Sequence, residues 1–114
     1  KMFEKFISSL ELENWIILYI FFEINLIKEL GYDVNLKKFN KTNMLHNQSS
    51  KVIIDGFRYE VPNYLITQKL PNQINNFLIK KSLIFTRSVM VNKFFLPNNL
   101  IFPKSRIILE NYFN

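Results

Sequence analysis

Cysteine and alanine are absent from this 114-residue chain, glycine occurs twice and histidine once. Without cysteine there is neither a disulfide scaffold nor a thiolate zinc site, so ordinary core packing has to hold the fold, and a cytoplasmic location is expected. No apolar run approaches the roughly twenty residues of a membrane-spanning helix. The longest, Trp15 to Phe22, is interrupted by Glu23. Gly31 and Gly56 stand alone, which excludes a glycine-rich phosphate loop. His46 has no second histidine or cysteine to join it in a metal site or a nucleophile pair, and reads as a solvated loop residue. Glu23 is a lone carboxylate in an apolar helix, a weak signal for general acid catalysis and a stronger one for a buried polar anchor. The expectation is a non-enzymatic domain without metal or other cofactor.

What is present is 48% apolar residues and 21% charged ones, enough for one small globular domain and too few for two. Asparagine, lysine, isoleucine and phenylalanine are abundant, a bias expected of a low-GC genome. The chain opens at Lys1 without a methionine, and its first residues, Lys-Met-Phe-Glu-Lys-Phe, read as the last turns of a helix. No signal peptide is expected there, and a longer protein is expected to precede it. The net charge of +6 is uneven. Residues 1–33 hold six acids against three lysines, and residues 34–114 hold twelve bases against three acids, Asp55, Glu60 and Glu110. A basic surface in the later part fits nucleic acid or an acidic peptide, although a lysine-rich genome produces the same excess.

Periodicity predicts a mainly α fold, a small helical bundle with a short hairpin and loop insertion over 33–62. A helix over Glu13 to Leu30 carries Trp15, Leu18, Tyr19, Phe22, Leu26 and Leu30 at steps of three and four, with isoleucines on the flanking faces. Being apolar nearly all round, it is expected to be central, with Phe22 and Leu26 on its main stripe. Gly31 is placed to end it. Asp33 to Ser50 reads as a polar loop. Val52 to Ile54 and Phe57 to Val61 flank Asp55-Gly56, the signature of a type I′ hairpin turn, and Pro62 limits the second strand. A helical stretch near Gln73 to Ile79, a second helix capped by Ser82 and running to Phe95, a break at Pro97-Asn98-Asn99 and a last helix from Pro103 through Tyr112 complete the reading.

Several pieces gain meaning from their order. Phe22-Glu23-x-x-Leu26-x-x-x-Leu30-Gly31-Tyr32-x-x-Asn35-Leu36 is followed, after the hairpin, by Phe85-Thr86-Arg87, Phe95-Leu96 and Pro103-Lys104-Ser105-Arg106-x-x-Leu109. From about Leu10 to Phe113 the chain resembles the C-terminal helical domain of RecO, a mediator of recombinational DNA repair in the RecF pathway. The resemblance implies an N-terminal OB-fold, not present in this chain, ahead of a helical domain with a small zinc-finger-like insertion. It also implies DNA binding and annealing, contact with RecR, and docking of the acidic tail of single-stranded DNA-binding protein, in a nucleoid-associated cytoplasmic setting. Two departures stand out. Phe39 occupies the place of the first zinc cysteine, so zinc is not expected, and Ile20 and Phe21 stand where many members place an arginine before the Phe-Glu pair.

On the Ser82 to Phe95 helix, Leu83, Arg87, Met90 and Phe94 share one stripe. A guanidinium beside an apolar recess suits an acidic peptide ending in an aromatic residue, with Lys93 or Arg106 assisting. Arg87 reads equally as an arginine whose stem covers the core, and Arg106 as a solvated or intramolecular salt-bridging side chain. A competing reading is a generic basic helical interaction module with no direct DNA role. A peripheral membrane helix over Trp15 to Ile27 is disfavoured because it would need one polar face.

Overall fold

The structure, a computed structural model, describes residues 12–32, 35–45, 47–69 and 75–113. The opening Lys-Met-Phe-Glu-Lys-Phe, Asp33, Val34, His46 and the helix start expected near Gln73 lie outside the described residues.

Eighteen residues rich in isoleucine and leucine form α1, Leu12–Glu29. Gly31 at φ +93° turns the chain out of the helix. Tyr32 N–H donates to Ile27 O at 3.2 Å and Gly31 N–H to Lys28 O at 3.0 Å, the paired bonds of a Schellman cap. A short 3-10 helix, Leu36–Phe39, interrupts the expected loop and buries Leu36. Strands β1, Ser49–Ile54, and β2, Phe57–Pro62, pair antiparallel with Ile54 opposite Phe57. Asp55 at φ +51° and Gly56 at φ +85° make the two-residue turn that the sequence predicts. Val52, Ile54, Tyr59 and Val61 form the hairpin's buried face.

Directly after Pro62, where the sequence reads only the end of a strand, a helical turn α2, Asn63–Thr67, buries Asn63, Tyr64, Leu65 and Ile66. The two helices expected after Pro71 are one. Helix α3, Asn76–Met90, is capped by the Asn75 side chain, which accepts from Leu78 N–H at 2.8 Å. Ser82 is no cap. It sits mid-helix and buried, bonded to Leu78 O at 2.9 Å and to the Tyr64 hydroxyl at 2.6 Å, because no breaker separates Asn76 from Met90. The helix widens into a π turn, Val91–Phe95, where Leu96 N–H reaches Val91 O at 2.9 Å. Pro97-Asn98-Asn99 ends it, and α4, Lys104–Tyr112, starts after Pro103.

Helix α3 packs on α1, β2 and α4 and is the central element. The expectation for α1 is corrected accordingly. Its core face is Ile16, Ile17, Ile20, Glu23 and Ile27, while Phe22 is 59% exposed and Leu26 41%. Leu18 and Leu30 are exposed with them. A helix apolar nearly all round does not reveal which face turns inward, and here the face carrying Glu23 does. The architecture is a helical domain with a two-stranded hairpin between its helices. Among the described residues, no helix is long and apolar enough to cross a membrane.

Candidate functional site

Three helices bring charge into the interior. Glu23 comes from α1, Leu83, Thr86 and Arg87 from α3, and Arg106 and Glu110 from α4. The Arg106 guanidinium grips Glu23 with two bonds, Nε to Oε2 at 2.6 Å and Nη2 to Oε1 at 2.8 Å. Its Nη1 donates to Glu110 Oε2 at 3.0 Å, one helical turn along, and Nη2 also reaches Leu83 O and Thr86 Oγ1, each at 3.0 Å. Thr86 Oγ1 donates to Glu23 Oε1 at 2.7 Å. Arg87 Nε lies 2.8 Å from Glu110 Oε2, a close ion pair whose N–H is not aimed at that oxygen and makes no hydrogen bond. Two carboxylates thus face two guanidiniums.

The electrostatics follow from burial and pairing. Burial alone would make the Arg106 guanidinium easier to deprotonate, but bonding to Glu23 and the charges of Glu23 and Glu110 prevail and raise its pKa. Burial, reinforced by the charge and bonding of Glu23, pushes the Tyr19 hydroxyl up to about 12, with Arg106 opposing. Burial likewise drives the Tyr64 hydroxyl upward against its bond to Ser82. Bidentate pairing inside the core suits a structural latch between α1, α3 and α4.

The six residues expected to form a partner surface have separate fates. Arg106 is held inside the latch, and Leu83 and Met90 are buried in the core. Lys93 leans over the hairpin tip, with its ammonium 2.6 Å from Asp55 Oδ2 and 5.6 Å from the Phe57 ring centre. Bonding to Lys93 holds the Asp55 carboxyl below the usual range. Arg87 and Phe94 are half-buried and keep part of their surface. Helical spacing alone defines that stripe, and spacing does not tell a residue facing the core from one beside it.

Sequence reasoning missed a groove between β2 and α3. It encloses about 420 Å³ and is lined by Arg58, Glu60, Phe77, Lys80, Lys81 and Ile84, among others. Lys81 is ion-paired with Glu60 and stands 4.7 Å from the Phe77 ring centre. Phe77, Lys80, Lys81 and Ile84 recur at three and four residues along α3, a signal visible in the sequence once that helix is known to begin at Asn76. Comparison with protein-family models, with curated proteins and with solved structures gives no match for this chain.

Proposed function

We propose that this chain is a RecO-like recombination mediator domain in the RecF pathway of DNA repair, non-enzymatic, cytoplasmic and nucleoid-associated. In this reading it docks RecR and the acidic tail of single-stranded DNA-binding protein and adds weak contact with single- and double-stranded DNA. One observation carries it. The separate sequence pieces behind the resemblance, Phe22-Glu23, Phe85-Thr86-Arg87 and Pro103-Lys104-Ser105-Arg106, supply Glu23, Thr86, Arg87 and Arg106 to a single buried latch. Their order and spacing thereby acquire a physical reason, since a motif spread across the chain is held together by charges that must meet. The hairpin stands where the family carries its zinc segment, so strand pairing and the Asp55-Gly56 turn take over the ordering that cysteines and metal supply there.

The second reading, a generic basic interaction module, is favoured by the use of Lys81 and Lys93 in intramolecular ion pairs, which leaves them less charge to offer a partner. The two readings part at Arg87. With a labelled peptide that copies the acidic tail, fluorescence anisotropy should show modest binding by the parent and at least tenfold weaker binding by Arg87→Glu, about 1.4 kcal/mol. Circular dichroism verifies that the variant is folded. Equal binding by a folded variant would favour the generic module.

A further inference from the structure

We propose that a second groove, between α1, the 3-10 helix and α2, binds a nucleoside monophosphate. This goes beyond the reading above, because the ligand is not a peptide and neither Arg87 nor any other residue of the latch lines this groove. The groove encloses about 360 Å³, the size of a small-ligand site. One wall is a face of α1, where Phe21, Ile24, Asn25 and Lys28 follow at steps of three and four residues. Asn35 and Lys37, at the start of the 3-10 helix, and Gln68, at the end of α2, supply the rest of its polar lining.

Three properties of the lining point to that ligand. Its charge has one sign. Lys28 and Lys37 are exposed and, unlike Lys81 and Lys93, join no ion pair among the described residues. No carboxylate stands among the described residues that line the groove, so nothing there repels an anion. Its other polar groups are amides, Asn25, Asn35 and Gln68, each with a donor and an acceptor to offer. Asn35 does not spend its side chain on capping the 3-10 helix that it precedes. Its apolar wall is set in advance. Phe21 is half-buried, with its ring edge-on to the buried Tyr64 ring at 6.2 Å between centres, and Ile24 is half-buried one turn along.

The ligand chemistry follows from these parts. Two ammonium groups carried by separate elements suit one phosphate, whose several oxygens can accept from both. The edge of a nucleobase presents donors and acceptors side by side, the pattern that asparagine and glutamine amides pair with. A ligand carrying only carboxylates would leave the amide oxygens unused, which favours a nucleotide over an acidic peptide. A flat base laid against Phe21 and Ile24 would leave water without first having to order that wall.

The test uses the full chain and isothermal titration calorimetry with deoxyadenosine monophosphate. The parent should bind it at low salt, and deoxyadenosine or inorganic phosphate should each bind at least tenfold more weakly, since each carries half of what the groove recognises. Lys28→Glu and Lys37→Glu should each weaken binding of the monophosphate at least tenfold in variants that stay folded, both side chains being exposed. Lys104→Glu, which reverses an exposed lysine on α4 outside the groove, should leave binding unchanged, as should Arg87→Glu. Four results would overturn the proposal: no binding by the parent, undiminished binding by Lys28→Glu and Lys37→Glu, an equal loss in Lys104→Glu, or inorganic phosphate binding as tightly as the nucleotide. A twelve-residue oligodeoxyadenylate separates two sources of the same chemistry. If it displaces the monophosphate, the ligand is a nucleotide within a strand; if the monophosphate stays bound, the ligand is a free nucleotide, and either result upholds recognition of phosphate and base together.

Discussion

A charge taken out of water stays cheap only while its partner remains in place, and Glu23 shows the cost of breaking that condition. Glu23→Gln would leave the Arg106 guanidinium buried with Glu110 as its remaining carboxylate partner. A loss of about 3 kcal/mol in unfolding free energy is expected, measured by urea denaturation, because an uncompensated buried charge is penalised more than a lost neutral hydrogen bond. The same substitution reads out on Tyr19. In the parent, absorbance near 295 nm should report one tyrosine ionising at about pH 12, held neutral first by burial and then by the Glu23 charge. Glu23→Gln should move that step down toward the ordinary value, in a variant verified as folded. Because the folded pKa is raised, the stabilisation linked to Tyr19 is present below about pH 10 and is lost as pH rises through about 12.

Among the elements, α1 shows how far periodicity reaches. Its existence, its length and its glycine stop are all legible from Glu13 to Gly31, as is the hairpin from Asp55-Gly56, because these depend on local backbone chemistry. Its inward face is not legible, since apolar side chains surround the helix and the choice is made by α3 packing against it. The orientation can be tested directly. Ile20→Ala should cost about 2–5 kcal/mol, as expected for deletion of a fully buried branched side chain, whereas Leu26→Ala should stay within about 1 kcal/mol. Comparable losses in thermal melts would mean that both faces are covered. Ser82 shows the same limit on α3: a residue typical of caps is instead a buried partner of Tyr64. The candidate site is legible only in part. Glu23 as a polar anchor is legible from its place in an apolar helix, Arg106 as an ion pair only as one alternative beside a solvated or partner-binding side chain, and their meeting across 83 residues not at all.

For the whole molecule, charge distribution sets what the chain can attract. Twelve bases follow Val34 against three acids, and two of those acids, Asp55 and Glu60, are held by Lys93 and Lys81. Binding to DNA is therefore expected to be weak, indifferent to sequence and steeply salt-dependent, because displaced counterions would supply most of its free energy. Titrations of duplex and single strands at several salt concentrations check this; tight, base-specific, salt-insensitive binding would contradict it. The latch has a further consequence, for the order in which the molecule is made. Ribosomal synthesis delivers Glu23 long before Arg106, the residue that neutralises it, and contacts so distant in sequence are slow to form. Until α4 emerges, the nascent chain holds an α1 with a carboxylate on its inward face and no counterion, so α1 and α3 cannot close dry against each other. Completion of the fold thus waits for α4, and a ribosome stalled before Lys104 would display a chain more open to proteases than the domain with α4 in place.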